Sequence, residues 1–180
     1  MTPSPEGLGG LLLSPLAEVD AEEILGWRYT GELAVYGFET PDPAARAEEL
    51  RGLLDPANGY HAARTAAGEL IGFCCFGADA QVPGGDYRQP ALDVGLGLRP
   101  DLVGRGLGLA YVEAILDFAR CELSPPSFRL TVAAFNRRAF RVYERAGFAT
   151  IARFERQATD GEGAGAEFLV MVRPIDDRPR

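Results

Sequence analysis

The stretch Asp93–Gly108, which reads DVGLGLRPDLVGRGLG, is the part of the sequence that decides the fold. Apolar residues alternate with small or acidic ones over Leu92–Leu98, and this period of two predicts a β-strand. A short turn follows that contains three glycines, Gly104, Gly106 and Gly108. An apolar stripe at helical spacing then predicts a helix over Gly106–Arg120.

The glycine-rich turn has the chemistry of an anion site. Glycines let backbone N–H groups approach an anion without an intervening Cβ, and the first turn of a helix favours negative charge. A P-loop is excluded because it needs a lysine, and all 18 basic residues of this chain are arginines. A dinucleotide fingerprint requires G-x-G-x-x-G, whereas the spacing here is G-x-G-x-G. A flexible turn without a ligand is the alternative at this point.

A second informative stretch, NRRAFRVYERAGF, runs from Asn136 to Phe148. It predicts a helix over Arg137–Ala146 that Gly147 closes at the position after the C-cap. Asn136 and Tyr143 then project from one face, about 10 Å apart along the axis, with the small Ala139 between them. Taken singly, Asn136 also fits a helix N-cap, and Tyr143 also fits a half-buried core residue.

Together, the two stretches resemble the GNAT superfamily of acyl-CoA N-acyltransferases. The family's pyrophosphate loop, Q/R-x-x-G-x-G/A, is similar to the six residues Val103, Gly104, Arg105, Gly106, Leu107 and Gly108. The family's N-x-x-A-x-x-x-Y-x-x-x-G-F segment is matched at every fixed position by Asn136, Ala139, Tyr143, Gly147 and Phe148. Val103 departs from the pattern, because the family has Gln or Arg there, and we expect weaker cofactor binding at most.

The resemblance implies an α/β fold with a single GNAT-like domain over residues 11–173, between a disordered lead-in (1–10) and a flexible tail (174–180). About seven strands would form a mixed, mostly antiparallel sheet flanked by about four helices, with a V-shaped split between strands 4 and 5. The predicted strands are Leu11–Leu16, Tyr60–Arg64, Leu70–Phe76, Leu92–Leu98, Phe128–Ala134, Thr150–Gln157 and Glu167–Val172. The other predicted helices are Val19–Tyr29 and Pro43–Leu54.

The resemblance also implies acetyl-CoA as a co-substrate and transfer of its acetyl group to a primary amine, either a small amine or a protein N-terminus. Pantetheine would pair with backbone groups at Leu96 and Leu98, and Gly95 and Gly97 would keep that wall open. The pyrophosphate would bind the loop at residues 103–108, and Asn136 and Ala139 would lie along the cofactor.

Tyr143 is carried over from the family as the general acid that protonates the departing thiolate. Asp93 is the first candidate for the base and Glu32 the second. Trp27, Tyr29 and Tyr36 are candidates for an aromatic wall of the acceptor site, with a purely structural role in the core as the alternative. His61 is predicted to be structural.

Composition restricts the other function classes. The net charge is −8, which makes nucleic acid an unfavourable partner and favours, weakly, an amine-bearing substrate. The sequence predicts no metal site, because it has three cysteines without a C-x-x-C spacing and a single histidine. It predicts no membrane span either, because its apolar runs are too short to cross a bilayer. We expect a cytoplasmic protein and leave open whether it forms a homodimer. The second functional hypothesis is a catalytically weak acyl-CoA sensor of the same fold. A dinucleotide-dependent oxidoreductase is disfavoured, because the glycine spacing does not match the dinucleotide fingerprint.

Overall fold

The computed structural model describes residues 10–38, 42–156 and 165–175. The described strands are β1 (Leu12–Pro15), β2 (His61–Arg64), β3 (Leu70–Phe76), β4 (Leu92–Leu98), β5 (Ser127–Ala133), β6 (Ala149–Arg156) and β7 (Ala166–Pro174). The described α-helices are α1 (Glu18–Leu25), α2 (Pro43–Leu54), α3 (Gly108–Leu123) and α4 (Arg137–Arg145). Residues 1–9 and 176–180, where the lead-in and most of the tail were predicted, lie outside the described residues, as does most of the predicted turn between the last two strands.

The strands form one sheet in the order β1-β2-β3-β4-β5-β7-β6. Every neighbouring pair is antiparallel except β4 and β5, which run parallel. Their parallel pairing consists of two positions, Leu92 opposite Phe128 and Asp93 opposite Arg129. Beyond these the two strands separate, so the predicted α/β fold with a split between strands 4 and 5 is confirmed.

The sheet is covered on both faces. The larger core lies against α3 and α4, where the alternating apolar side chains of β4 meet buried residues such as Tyr111 and Ile115. On the opposite face, α1 and α2 cover smaller clusters around Ile24 and Leu53. The period of two that identified β4 in the sequence therefore reflects one face turned to α3 and one turned to α1 and α2.

Two predicted helices differ from the described ones by more than one residue at an end. The first ends at Leu25 rather than Tyr29, because the Gly26 amide bonds back to the carbonyls of Glu23 and Ile24 and the chain then leaves the helix. The third begins at Gly108 rather than Gly106, because Gly106 has φ +81° and cannot continue a right-handed helix.

A buried ion pair joins β4 and β5 where they are still paired. The Arg129 guanidinium donates to both oxygens of Asp93, from Nε at 2.5 Å and from Nη2 at 2.7 Å. Asp93 is 4% exposed and Arg129 is 2% exposed. Gln81 also donates to Asp93, and Arg129 donates to the carbonyls of Tyr87 and Gln89. The pair thus fixes both strands and the long connection between β3 and β4 at the apex of the split.

Among the described helices, none combines the length and the apolar character needed to cross a bilayer.

We predict that Asp93→Asn lowers the free energy of unfolding by about 3 kcal/mol, because it leaves the buried Arg129 charge without its counter-ion. Urea denaturation followed by circular dichroism measures this loss. Asp117→Asn, which removes an exposed ion pair with Arg120, is the matched control and should cost less than about 1 kcal/mol. Equal losses in the two variants would contradict the structural role.

Candidate active site

A cavity of about 500 Å³ lies in the split between β4 and β5. Its walls come from both strands, from the glycine-rich turn before α3, from α4 and from the connection between α1 and α2. The predicted cofactor-binding residues that line it are Leu96, Leu98, Val103, Gly104, Gly106, Gly108, Asn136, Ala139 and Tyr143. The structure thus brings most of the predicted site together in one cavity.

The backbone of β4 faces this cavity at alternate residues. The Arg99 amide donates to the carbonyl of Ile71, and the Gly77 amide donates to that of Asp93, so the odd-numbered positions of β4 are those bonded to β3. The amide and carbonyl groups of Leu96 and Leu98 consequently point towards β5, where the split leaves them without a strand partner. The Leu98 carbonyl accepts from the Tyr29 hydroxyl at 2.9 Å. The Leu96 groups are therefore open to a ligand, and the pantetheine contact predicted for them stays a prediction.

The glycine-rich turn presents unbonded amides at the opening of α3. Gly104 and Gly106 have φ of +84° and +81°, a region that favours glycine, and neither donates its amide to another described residue. No side chain caps the first turn of α3. Unpaired amides and a helix N-terminus form a site that suits a phosphate or diphosphate.

Two residues of the predicted loop do not line the cavity. The Leu107 side chain is 1% exposed and belongs to the core, and the Arg105 side chain turns back to donate to the carbonyl of Asp101 at 2.6 Å. The Leu107 side chain is therefore not available to a ligand, whereas Arg105 is exposed and uses only its Nε in this contact. The sequence pattern could not separate backbone from side-chain roles within the loop.

Arg138 is a cavity residue that the sequence analysis missed. A Cβ built on Gly104 would lie 3.4 Å from Arg138 Nη1, so the guanidinium is next to the glycine-rich turn. Arg138 forms no hydrogen bond or ion pair with another described residue, whereas Val103, at the Gln/Arg position of the family pattern, is apolar. Arg138 is thus placed to supply the charge that Val103 lacks. A basic residue two positions after Asn136 was the available signal.

Asn136 connects two walls of the cavity, α4 and the segment between α1 and α2. Its Oδ1 caps α4 by accepting from the Ala139 amide at 3.1 Å, so the capping role foreseen in the sequence is real. Its Nδ2 lies 3.4 Å from the Tyr36 hydroxyl, on the connection between α1 and α2. Through Asn136, α4 therefore contacts the connection between α1 and α2, which forms the opposite wall of the cavity.

Tyr143 is a buried polar side chain of the cavity wall. It is 8% exposed, and its hydroxyl forms no hydrogen bond with another described residue. Burial, and then the proximity of Tyr36, raise the pKa of Tyr143 above its usual value. The phenol therefore stays protonated at neutral pH and has a proton to donate into the cavity.

Neither carboxylate predicted as a base lies in the cavity wall. Asp93 lies on the face of β4 that the alternation predicts, opposite the apolar side chains. Arg129 donates to both of its carboxylate oxygens, and Gln81 donates to one of them. This geometry supports a structural role rather than the predicted catalytic one. Glu32 is exposed in the 3₁₀ turn Gly31–Tyr36, and Leu33 rather than Glu32 lines the cavity.

The aromatic candidates separate into two groups. Tyr29 and Tyr36 line the cavity, whereas Trp27 is 8% exposed, lies in the core beneath it and contacts Phe73 at 6.1 Å between ring centroids. Phe73, which the sequence analysis did not single out, lines the cavity. Gly97 makes room for it, because a Cβ there would lie 2.4 Å from the Phe73 ring. Gly97 also lines the cavity itself, so its predicted role in keeping that wall open stays a prediction beside this packing role.

In the part of the chain that the structure describes, no three His, Cys, Asp or Glu side chains come together as a metal site requires.

Comparison with known proteins gives the family. A family model described as an acetyltransferase (GNAT) domain matches residues 10–149. Mycothiol acetyltransferase of Propionibacterium freudenreichii subsp. shermanii is 31% identical over 147 residues, which cover 79% of this chain and 44% of that protein. N-alpha-acetyltransferase RimI of Mycobacterium tuberculosis is 31% identical over 117 residues, covering 65% of this chain and 68% of that protein. The chain thus spans less than half the length of the first of these relatives.

Solved structures show the same fold at low sequence identity. Spermidine N-acetyltransferase from Vibrio cholerae, in complex with CoA and spermine, superposes with a TM-score of 0.70 at 21% identity, over 92% of this chain and 96% of that one. A GNAT-family acetyltransferase from Bacillus anthracis superposes with a TM-score of 0.68 at 13% identity, over 91% and 94%.

We predict that Gly106→Val lowers the affinity for coenzyme A by at least about tenfold, because a β-branched residue disfavours a positive φ and brings its side chain to the amides of the turn. Isothermal titration calorimetry measures the change. Gly68→Val is the matched control, since Gly68 has φ +83° and equally open surroundings in the β2–β3 hairpin. It should leave the affinity unchanged, and a similar loss in both variants would mean that backbone strain alone is responsible.

Arg138→Ala should also lower coenzyme A affinity about tenfold, because a charge-assisted contact to a phosphate is lost. Pantetheine, which has no phosphate, should bind the variant and the wild type equally. Arg137→Ala changes an exposed neighbour that does not line the cavity, and should have little effect on either ligand. A loss of pantetheine affinity in Arg138→Ala would contradict a phosphate contact.

Proposed function

Because this chain belongs to the GNAT acetyltransferase family, we propose that it transfers the acetyl group of acetyl-CoA to a primary amine. The observation that carries the proposal is the buried Tyr143, whose hydroxyl is free of other described residues in the wall of a cavity that also holds the unbonded glycine amides. A protonated donor and an anion site in one cavity suit acyl transfer from a phosphate-bearing thioester.

Each part of the cavity has a role in this reaction. Acetyl-CoA supplies a thioester whose C–S bond breaks as the amine forms a C–N bond to the carbonyl carbon, which releases the thiol. The glycine amides and Arg138 hold the diphosphate, so that the rest of the ligand runs into the split. The Leu96 amide donates to the carbonyl oxygen, on which negative charge develops.

Tyr143 assists the departure of sulfur. With ordinary pKa values of about 10 for a phenol and about 8.5 for a thiol, complete proton transfer from tyrosine is uphill, and burial makes it more so. A hydrogen bond from Tyr143 to the developing thiolate is therefore its larger contribution. The proton that the amine loses balances the one that the thiol gains.

The amine must be neutral when it attacks, because its lone pair forms the new bond. With Asp93 committed to Arg129 and Glu32 outside the cavity wall, we assign the amine proton to water rather than to either of these two carboxylates. Desolvation inside the cavity favours the neutral amine in the same direction.

We predict that Tyr143→Phe lowers kcat by at least about tenfold and leaves the affinity for acetyl-CoA nearly unchanged, because the hydroxyl acts only on the developing thiolate. Steady-state thiol release across a panel of amines gives kcat, and calorimetry gives the affinity.

Tyr60→Phe is the matched control. Its hydroxyl donates to Asp79 outside the cavity wall, so kcat should stay close to that of the wild type. An unchanged kcat in Tyr143→Phe would remove Tyr143 from the chemistry. Tight acetyl-CoA binding by the wild type, without thiol release on any amine class, would favour the sensor over the enzyme.

A further inference from the structure

We infer that the acceptor is a monoamine with an aromatic or aliphatic body, which lies against Phe73 between Tyr29 and Tyr36, and that polyamines are poor substrates. The inference rests on the proposed function and adds the chemical class of the acceptor. It concerns the half of the cavity that faces α1 and α2, called here the acceptor half and lined by Tyr29, Leu33, Tyr36, Phe73, Ala80 and Thr131.

One wall of the acceptor half, called here the aromatic floor, consists of Phe73 and the aromatic rings packed around it. Phe73 is only partly buried, and its ring lies 6.1 Å from the rings of Trp27, Phe38 and Tyr60, measured between centroids. The Tyr29 hydroxyl is fixed on the Leu98 carbonyl. An apolar group placed here would bury its surface against side chains that are already ordered, so binding would cost little further side-chain entropy.

The polar groups near this floor are already paired with one another. Thr131 Oγ1 lies 3.0 Å from the Tyr87 hydroxyl, and Arg129 holds the carboxylate of Asp93. They are therefore poorly placed to receive a second ammonium group from a ligand.

Charge points to the same class of acceptor. Of the described residues that line the cavity, those with a formal charge are Arg138 and Arg145, and both are cations. A polyamine would bring a second positive charge into a space whose described lining contains no carboxylate, so that lining would not compensate the desolvation of that charge. A monoamine loses its only charge when it is deprotonated for attack, so its body can bind an apolar surface.

Initial rates of thiol release with 2-phenylethylamine and spermidine test the inference, with acetyl-CoA binding measured separately by calorimetry. We expect kcat/KM to be at least about tenfold higher for 2-phenylethylamine, a preference of the size that a single buried apolar group provides. An equal or higher value for spermidine would overturn the inference. The absence of turnover with both of these amines would overturn the inference if another class of amine is acetylated, whereas the absence of turnover with every class of amine, or a failure to bind acetyl-CoA, would overturn the proposed function itself.

A charge introduced into the wall gives a second measurement. Leu33→Glu places a carboxylate at the acceptor half and should reduce the ratio of the two kcat/KM values, phenylethylamine over spermidine, at least about tenfold. Val35→Glu changes an exposed residue of the same 3₁₀ turn that does not line the cavity, and should leave the ratio unchanged. An unchanged ratio in Leu33→Glu, with acetyl-CoA affinity retained, would overturn the inference.

Discussion

The ion pair between Asp93 and Arg129 is the constraint on which the cavity depends. Two parallel strands that separate after two paired positions need a strong local attachment, because the ladder beyond that point contributes nothing. Two charge-assisted hydrogen bonds in a buried position supply it, and the attached carbonyls of Tyr87 and Gln89 satisfy the rest of the guanidinium. Because removing either partner would strand a buried charge, the pair also fixes which residues must lie at the apex.

The separation of β4 from β5 leaves backbone groups of β4 without hydrogen-bond partners, and a ligand can supply those hydrogen bonds. Backbone amides and carbonyls in a sheet interior normally pair with the next strand, and those of Leu96 and Leu98 point into the split instead. The protein satisfies one of them with the Tyr29 hydroxyl and leaves the remainder to water or to a ligand. The same holds for the amides of Gly104 and Gly106 before α3. The part of the cavity that we propose for the cofactor is therefore built mainly from main chain, which is consistent with Val103 at a position where the family pattern has a polar residue.

The sequence predicted the backbone around the candidate site better than it predicted the contacts of the side chains there. The alternation over Leu92–Leu98 gave the strand with its observed bounds, and the glycine spacing gave a turn with two positive φ angles. Alternation assigns a residue to a face, however, and does not identify its partner. Asp93 was assigned to the correct face, yet its role depends on Arg129, which is 36 residues further along the chain. Arg138 and Phe73 were missed for the same reason, because their importance comes from contacts made through the tertiary fold.

This difference between main-chain and side-chain contributions also explains why the fold is shared with proteins of low sequence identity. A structure with 21% identity superposes over more than nine-tenths of the chain, because the sheet, the split and the glycine-rich turn need few specific side chains. The acceptor half is different, since its walls are the side chains of the connection between α1 and α2 together with Phe73 and Thr131. Two proteins can therefore share the fold and the cofactor side while presenting unrelated surfaces to the acceptor. In this chain the described residues that line the cavity there are mostly aromatic or apolar and include no carboxylate, so the acceptor must be inferred from these side chains and not from the fold.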